Sequence, residues 1–307
     1  MIEGAVAAIE LTAVLVAVTA EEPRVLTIQD GNTLPSGPFE TEHRTLQAGL
    51  RAWVEHQTHH PLGYVEQLYT FADRDRTEDG GGRVISISYL GLTREAPASG
   101  DHELAWRSWY DYLPWEDWRA GVPAIIARVI VPALKRWAAD ANDVAGRRER
   151  GQRIVINFAA SDREWNEELV LQRYELLYEA GLVPEATRRR LVANPVPGRP
   201  MRHDHRRILA TGLARLRAKI KYRPVVFELM PESFTLLQLQ RAVEALAGRR
   251  LHKQNFRRLI DQQHLVEETG EVSTEMGGRP AKRVRFRREV LLERAIAGSK
   301  LPLSRSA

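Results

Sequence analysis

Apolar residues run almost unbroken from Leu11 to Val18 (LTAVLVAV) and return in RVLTI, Arg24 to Ile28. Runs of that length predict two strands, with a turn at Glu22-Pro23 between them. In RTLQAGLRAWVEHQTH the apolar positions spread to helical spacing, and Pro61 stops the helix. YVEQLYTFAD and RVISISYLGL predict two more strands, joined by a loop from Arg74 to Gly82. The triple glycine Gly80 to Gly82 reads as a hairpin turn rather than a phosphate cradle, because no helix follows it.

Beyond Gly100 the pattern changes. AWRSWYDYLPWEDW places four tryptophans between Trp106 and Trp118, which reads first as core packing, with a lid, subunit contact or stacking wall as the other uses. A helix is predicted from Ala124 to Ala139, kinked at Pro132. Asp140 to Gln152 is polar and predicts an exposed connection, RIVINFAA a strand, and Ser161 with Glu164 a capping box for a helix that Gly181 closes. Asp204 is placed to cap a further helix with Ile208, Leu209, Leu213, Leu216 and Ile220 on its apolar face. Strands first and helices after them predict an α+β fold rather than a doubly wound sheet.

The last segment has its own design. Thr235 and Gln238 have capping-box spacing, Leu239, Val243 and Leu246 recur at helical intervals, and Gly248 ends the helix. In LHKQNFRRLIDQQHL, Phe256, Leu259, Ile260 and Gln263 are read as one side of a second helix. Gln254, Arg257, Arg258 and Asp261 form the other. Two short helices around a tight turn, the second basic outside, make a helix-turn-helix. HLVEETG and AKRVRFRR follow as two strands around GGRPAK, with Val284 and Phe286 alternating with Arg283, Arg285 and Arg287. That is a wing.

Charge follows the same division. From Arg223 to Ala307 there are 16 Lys and Arg against 10 Asp and Glu, and the rest of the chain holds 29 against 30, within a net charge of +5. The asymmetry points to a nucleic-acid-binding module attached to a nearly neutral domain. Gln254, Asn255, Arg257 and Arg258 are candidates for base edges, since Gln and Asn suit adenine and Arg suits guanine. Lys253, Arg279, Lys282 and Arg283 are candidates for phosphate contacts. At 307 residues two domains are expected, and the absence of cysteine excludes disulfides and thiolate metal sites and suits the cytoplasm. The apolar run Ala5 to Ala20, broken by Glu10, Thr12 and Thr19, fits neither a signal peptide nor a membrane span.

The stretch Gly37 to His60 has the spacing of a Nudix hydrolase signature, with Gly37, Arg51 and Glu55 in family places. His43, Ala52, His56 and Thr58 occupy the remaining signature positions, so three of the four acidic positions lack a carboxylate. Magnesium bridging a diphosphate requires several converging oxygens, and the face formed by Ala52, Glu55 and His56 supplies one. His43, His56, His59 and His60 offer imidazoles for a zinc site, but His56, His59 and His60 read in preference as residues at a helix C-terminus.

This box spacing, the EQLYTF run and Asp204 to Gln240 together resemble the Nudix-related transcriptional regulators of NAD metabolism. The resemblance implies a Nudix-like mixed sheet with helices over residues 1–222, including an insertion around 100–199. A winged helix over 223–290 and a tail over 291–307 complete the expected organisation. It further implies ADP-ribose or a related nucleotide as effector, bound through Gly37, Arg51, Glu55, Glu66, Gln67, Tyr69 and Phe71. Neither a cofactor nor a metal is expected. The implied protein is a homodimeric regulator, most consistent with a repressor, on a palindromic operator among NAD biosynthesis or salvage genes. Two other readings stay open: a divergent hydrolase using Glu66, Asp73, Asp75 or Asp79, and a C-terminal module that binds only protein.

Overall fold

The computed structural model describes residues 8–58, 62–72, 84–95, 104–160, 163–186, 195–222, 225–273, 280–287 and 289–290. The first strand, β1 (Ala8–Thr19), is buried from Leu11 to Ala17 on both faces. It therefore forms the centre of a sheet. β5 (Val84–Leu92) pairs with it in parallel; β2 (Glu22–Thr27) and β3 (Ser36–Pro38) pair antiparallel on its other side. β4 (Tyr64–Phe71) and β6 (Ala105–Ser108) are the edges, giving the order β4-β5-β1-β2-β6 with β3 off the path. The β1–β2 turn is Ala20-Glu21, both in the left-handed region (φ 51 and 64), two residues earlier than the expected Glu22-Pro23.

Alternation along β1 divides the core. Leu11, Ala13 and Leu15 pack with Leu50 and Val54 of α1 (Leu46–Thr58). Val14 and Val16 point the other way, into the layer that holds Leu209 and Leu213. That second layer includes α5 (His205–Tyr222), whose Ile208, Leu209, Leu213 and Leu216 are buried as their spacing predicts.

Between α1 and α5 in sequence come α2 (Val131–Ala139), α3 (Val144–Phe158) and α4 (Val170–Glu179), which share the core on the α5 side. Residues 124–139 are continuously helical, as expected, and a π-helical turn, Ile126–Ile130, lies directly before Pro132, the irregularity at which a helix accommodates a residue without an N–H. Two expectations fail at α3. Most of the polar stretch predicted as a connection and most of RIVINFAA, predicted as a strand, form one 15-residue helix. Asp143 caps it through the Gly146 amide at 2.6 Å, and Ile154 and Phe158 bury one face. Arginines and two glycines mask the helical period over its first half. α4 opens at Val170 without a side-chain cap, later than the Ser161–Glu164 box predicts, and Ser161 lies outside the described residues. Gly181 does follow its end at φ 69.

The tryptophan segment is core: Trp109 and Trp115 are fully buried, and Trp118 stacks on Trp165 at 4.3 Å. Glu116 beside them is also buried, bonded to Arg173 Nε at 2.6 Å and Arg217 Nη1 at 2.6 Å, neither exposed. Residues from this region, from the sheet and from the C-terminal helices share one hydrophobic core.

His205, at the start of α5, is buried and accepts the Leu34 amide on Nδ1 at 2.8 Å. Burial, with His203 adding repulsion, pushes its pKa down to about 3. The unfolded chain thus takes up a proton that the folded state refuses. Stability present above pH 6.5 should fall by about 1.4 kcal/mol per pH unit on acidification from there toward pH 3. Melting temperatures at pH 7 and pH 5 check this, and His205→Asn should flatten that slope.

Candidate nucleic-acid interface and effector pocket

α6 (Leu236–Ala247) and α7 (Lys253–Gln262) are joined by five residues, and local chemistry fixes the turn. Thr235 accepts the Gln238 amide at 3.2 Å while the Gln238 side chain accepts the Thr235 amide at 2.7 Å, completing the capping box. Gly248 ends α6 at φ 73, with the Glu116 carbonyl so close that a Cβ would meet it at 2.4 Å. Buried Glu244 then ties the turn together, accepting from the Leu251 amide at 3.0 Å, Arg250 at 2.8 Å, Gln240 at 2.8 Å and Arg241 at 3.0 Å. Burial alone would raise its carboxyl pKa; these donors hold it below the usual range.

Phe256 and Ile260 anchor α7 in the core, leaving Lys253, Gln254, Asn255, Arg257 and Arg258 exposed. Among the described residues none of those five has an ion pair or side-chain hydrogen bond. Leu259, expected in the packed side, is 49% exposed, and Gln263 is exposed too. A ten-residue helix held at two positions one turn apart buries a narrower stripe than the sequence suggests. His252 gives α7 no side-chain cap, so its first amides are open. Sequence reasoning missed Arg249 and Arg250, half exposed immediately before α7, although GRRLHK displays them.

β7 (Phe234–Thr235), β9 (Ala281–Phe286) and β8 (Val266–Ser273) form the small antiparallel sheet beside these helices. Val284 is buried, and Phe286 packs on Phe227 and Phe234 at 3.7 and 4.6 Å. The cations of β9 face acids on β8: Lys282 meets Glu268 at 2.8 Å and Arg285 meets Glu267 at 2.7 Å. Arg283 donates to Ser233 Oγ at 3.0 Å. The wing is thus largely charge-balanced, and Arg279 lies outside the described residues.

The expected effector residues divide between the two faces of the sheet. On α1, Glu55, Ala52 and His56 are exposed. Arg51 donates to the carbonyls of Leu62 and Gly63, and Trp53 Nε1 donates to Pro38 at 2.7 Å. The indole lies so close over Gly37 that a Cβ there would fall 2.3 Å from it. On β4, Val65 packs with the α1 layer, and Gln67, two residues on, is exposed. Tyr69 is 60% exposed with its ring 5.0 Å from that of Phe71. Phe71 and Leu68 belong to the core on the α5 side. Glu66 is on that side as well, bonded to Lys219, to Arg215 at 3.0 Å and to the Tyr64 hydroxyl at 2.7 Å. Despite burial, those partners hold its pKa down.

His43 Nδ1 accepts the Glu40 amide at 3.2 Å. His59, His60, Asp73, Asp75 and Asp79 lie outside the described residues. Among the described residues, no group of three or more His, Asp or Glu could hold a metal, and no helix is long and apolar enough to cross a membrane.

A mixed sheet between helical layers, followed by a helix-turn-helix and wing, defines a Nudix-like α+β domain with a C-terminal winged helix. Residues 226–286 match the family model of the NrtR DNA-binding winged helix domain. An ADPR responsive transcriptional repressor from Acinetobacter baylyi, NtrR, is 41% identical over 83 residues. That match takes in 27% of this chain and 33% of the repressor, so the chain spans about a third of the length of this curated relative. Shewanella oneidensis NrtR complexed with a 27mer DNA superposes on 92% of this chain and 94% of its own, with a TM-score of 0.52 and 20% identity. A MutT/nudix family protein from Enterococcus faecalis does so over 94% and 89%, with a TM-score of 0.53 and 16% identity. These structures share the fold.

Proposed function

We propose that the protein is a DNA-binding transcriptional regulator, a repressor, whose Nudix-like domain senses ADP-ribose or a related nucleotide. The observation that carries this is the basic surface of α7, unpaired among the described residues and held on a locked turn within the segment that matches the NrtR winged helix domain. The ADPR-responsive Acinetobacter repressor supports the choice of effector, and the resemblance to regulators of NAD metabolism suggests the genes. The protein works in the cytoplasm as a homodimer on a palindromic operator, because one winged helix reads too few bases for useful specificity. The effector occupies the α1 side of the sheet, near Glu55, Gln67 and Tyr69.

The Nudix-like domain is a sensor and not a hydrolase. With Ala52 and His56 beside Glu55, the exposed face of α1 offers one carboxylate where a diphosphate-bridging magnesium needs several. ADP-ribose with Mg²⁺ should therefore show no turnover above background; about 1 per second, the low end for ordinary enzymes, would overturn the sensor assignment. DNA from upstream of the neighbouring genes is the substrate with which to test binding. Saturable, salt-sensitive binding that random DNA does not match is the expected result.

A further inference from the structure

Four cations alternate along the second half of α5: Arg215, Arg217, Lys219 and Lys221. At about 100° per residue, positions i and i+4 share a face, and positions two apart lie nearly opposite. Arg215 and Lys219 accordingly grip Glu66 of β4, Lys219 also reaching the Tyr64 hydroxyl at 2.6 Å. Arg217 and Lys221 turn the other way. Lys221 pairs with Glu167 at 3.0 Å and Glu168 at 2.7 Å. Arg217, wholly buried, bonds Glu116 and also donates Nε to the Leu246 carbonyl at 3.1 Å.

Leu246 lies in the last turn of α6, which other groups from outside the winged helix also hold. The Tyr110 hydroxyl donates to the Ala245 carbonyl at 2.7 Å, and the Trp118 amide donates to the Gly248 carbonyl at 2.7 Å. Glu244 in the same turn fixes the start of α7. β4, at the other end of the connection, is an edge of the sheet among the described residues, with an irregularity between Gln67 and Thr70. Gln67 faces the α1 side and Glu66 the α5 side, as adjacent strand residues must.

We propose that Arg217 is a positioning residue for the DNA-reading helix, and that α5 makes it answer to the state of β4. A ligand on the α1 side that shifts β4 moves Glu66 on the reverse side. Glu66 carries Lys219 and Arg215 with it, and a rigid helix cannot move there without moving Arg217 against Leu246. The effector's role in this rests on the function proposed above; the mechanical connection does not.

The test uses the full chain with Arg215 and Lys219 both replaced by Met, a change on partly exposed side chains that leaves α7 intact. Amide exchange without ligand decides the mechanical claim: residues 245–251 should exchange at least about threefold faster than in the wild type. Unchanged exchange overturns the proposal. Arg217→Lys, which keeps the buried charge but loses the separate Nε contact to the Leu246 carbonyl, should accelerate the same amides and reduce preference for operator over random DNA; retention of both overturns it as well.

The second readout is the ratio of operator Kd with and without ADP-ribose, at retained ADP-ribose binding. The double variant should lose most of a wild-type ratio of at least about fivefold, and keeping it overturns the proposal. A wild-type ratio of one would defeat the effector assignment, and exchange would still decide the role of Arg217.

Discussion

Glu116→Ala should lower the unfolding free energy by about 3–5 kcal/mol, the loss expected when a buried charge network is broken from one side. Glu116 is the shared acceptor of two fully buried guanidinium groups, Arg173 at 2.6 and 2.9 Å and Arg217 at 2.6 Å. Removing it leaves two cations out of water with backbone carbonyls as their remaining partners. Glu116→Gln keeps the shape and one acceptor and should cost less. Denaturant titration of the full chain gives the comparison, and equal stability of Glu116→Ala and wild type would show the network to be dispensable.

Arg258→Ala should cost about 1–3 kcal/mol on the operator and much less on random DNA, because a guanidinium on the outward face of α7 has base acceptors to meet in a major groove. Lys282→Ala should behave differently. A phosphate contact is indifferent to sequence, so both DNAs should weaken alike and the salt dependence should flatten by about one unit of slope. Lys282 is paired with Glu268, and its removal also leaves that carboxylate facing the backbone. Equal losses from both substitutions on both DNAs would mean that α7 reads no sequence.

The parts of the fold that follow short-range rules were legible. The buried run of β1, the capping box at Thr235, the left-handed Gly248 and the apolar face of α5 each state their structure within a few residues. α3 was not legible, because IVINF looks like a strand when separated from the arginine-rich half of its helix. Leu259 was misplaced for a similar reason: spacing gives a face, but the width of the buried stripe depends on the partner surface. The candidate DNA surface could be read because cations on the outward side of a short amphipathic helix are a local feature. The two-sided placement of Glu66 and Gln67 could not be read from resemblance, since it depends on which helix covers each face of the sheet. Nor could the bond from Arg217 to the Leu246 carbonyl, which joins positions 29 residues apart beside an acid contributed from a third segment.

The most direct test of the central claim is a titration of the full chain on its upstream operator and on random DNA of equal length, with and without ADP-ribose, at fixed salt. The expected result is a preference for the operator of at least about a thousandfold, changed by ADP-ribose at least about fivefold. Equal affinity for both DNAs, or an operator affinity that ADP-ribose leaves unaltered, would contradict it.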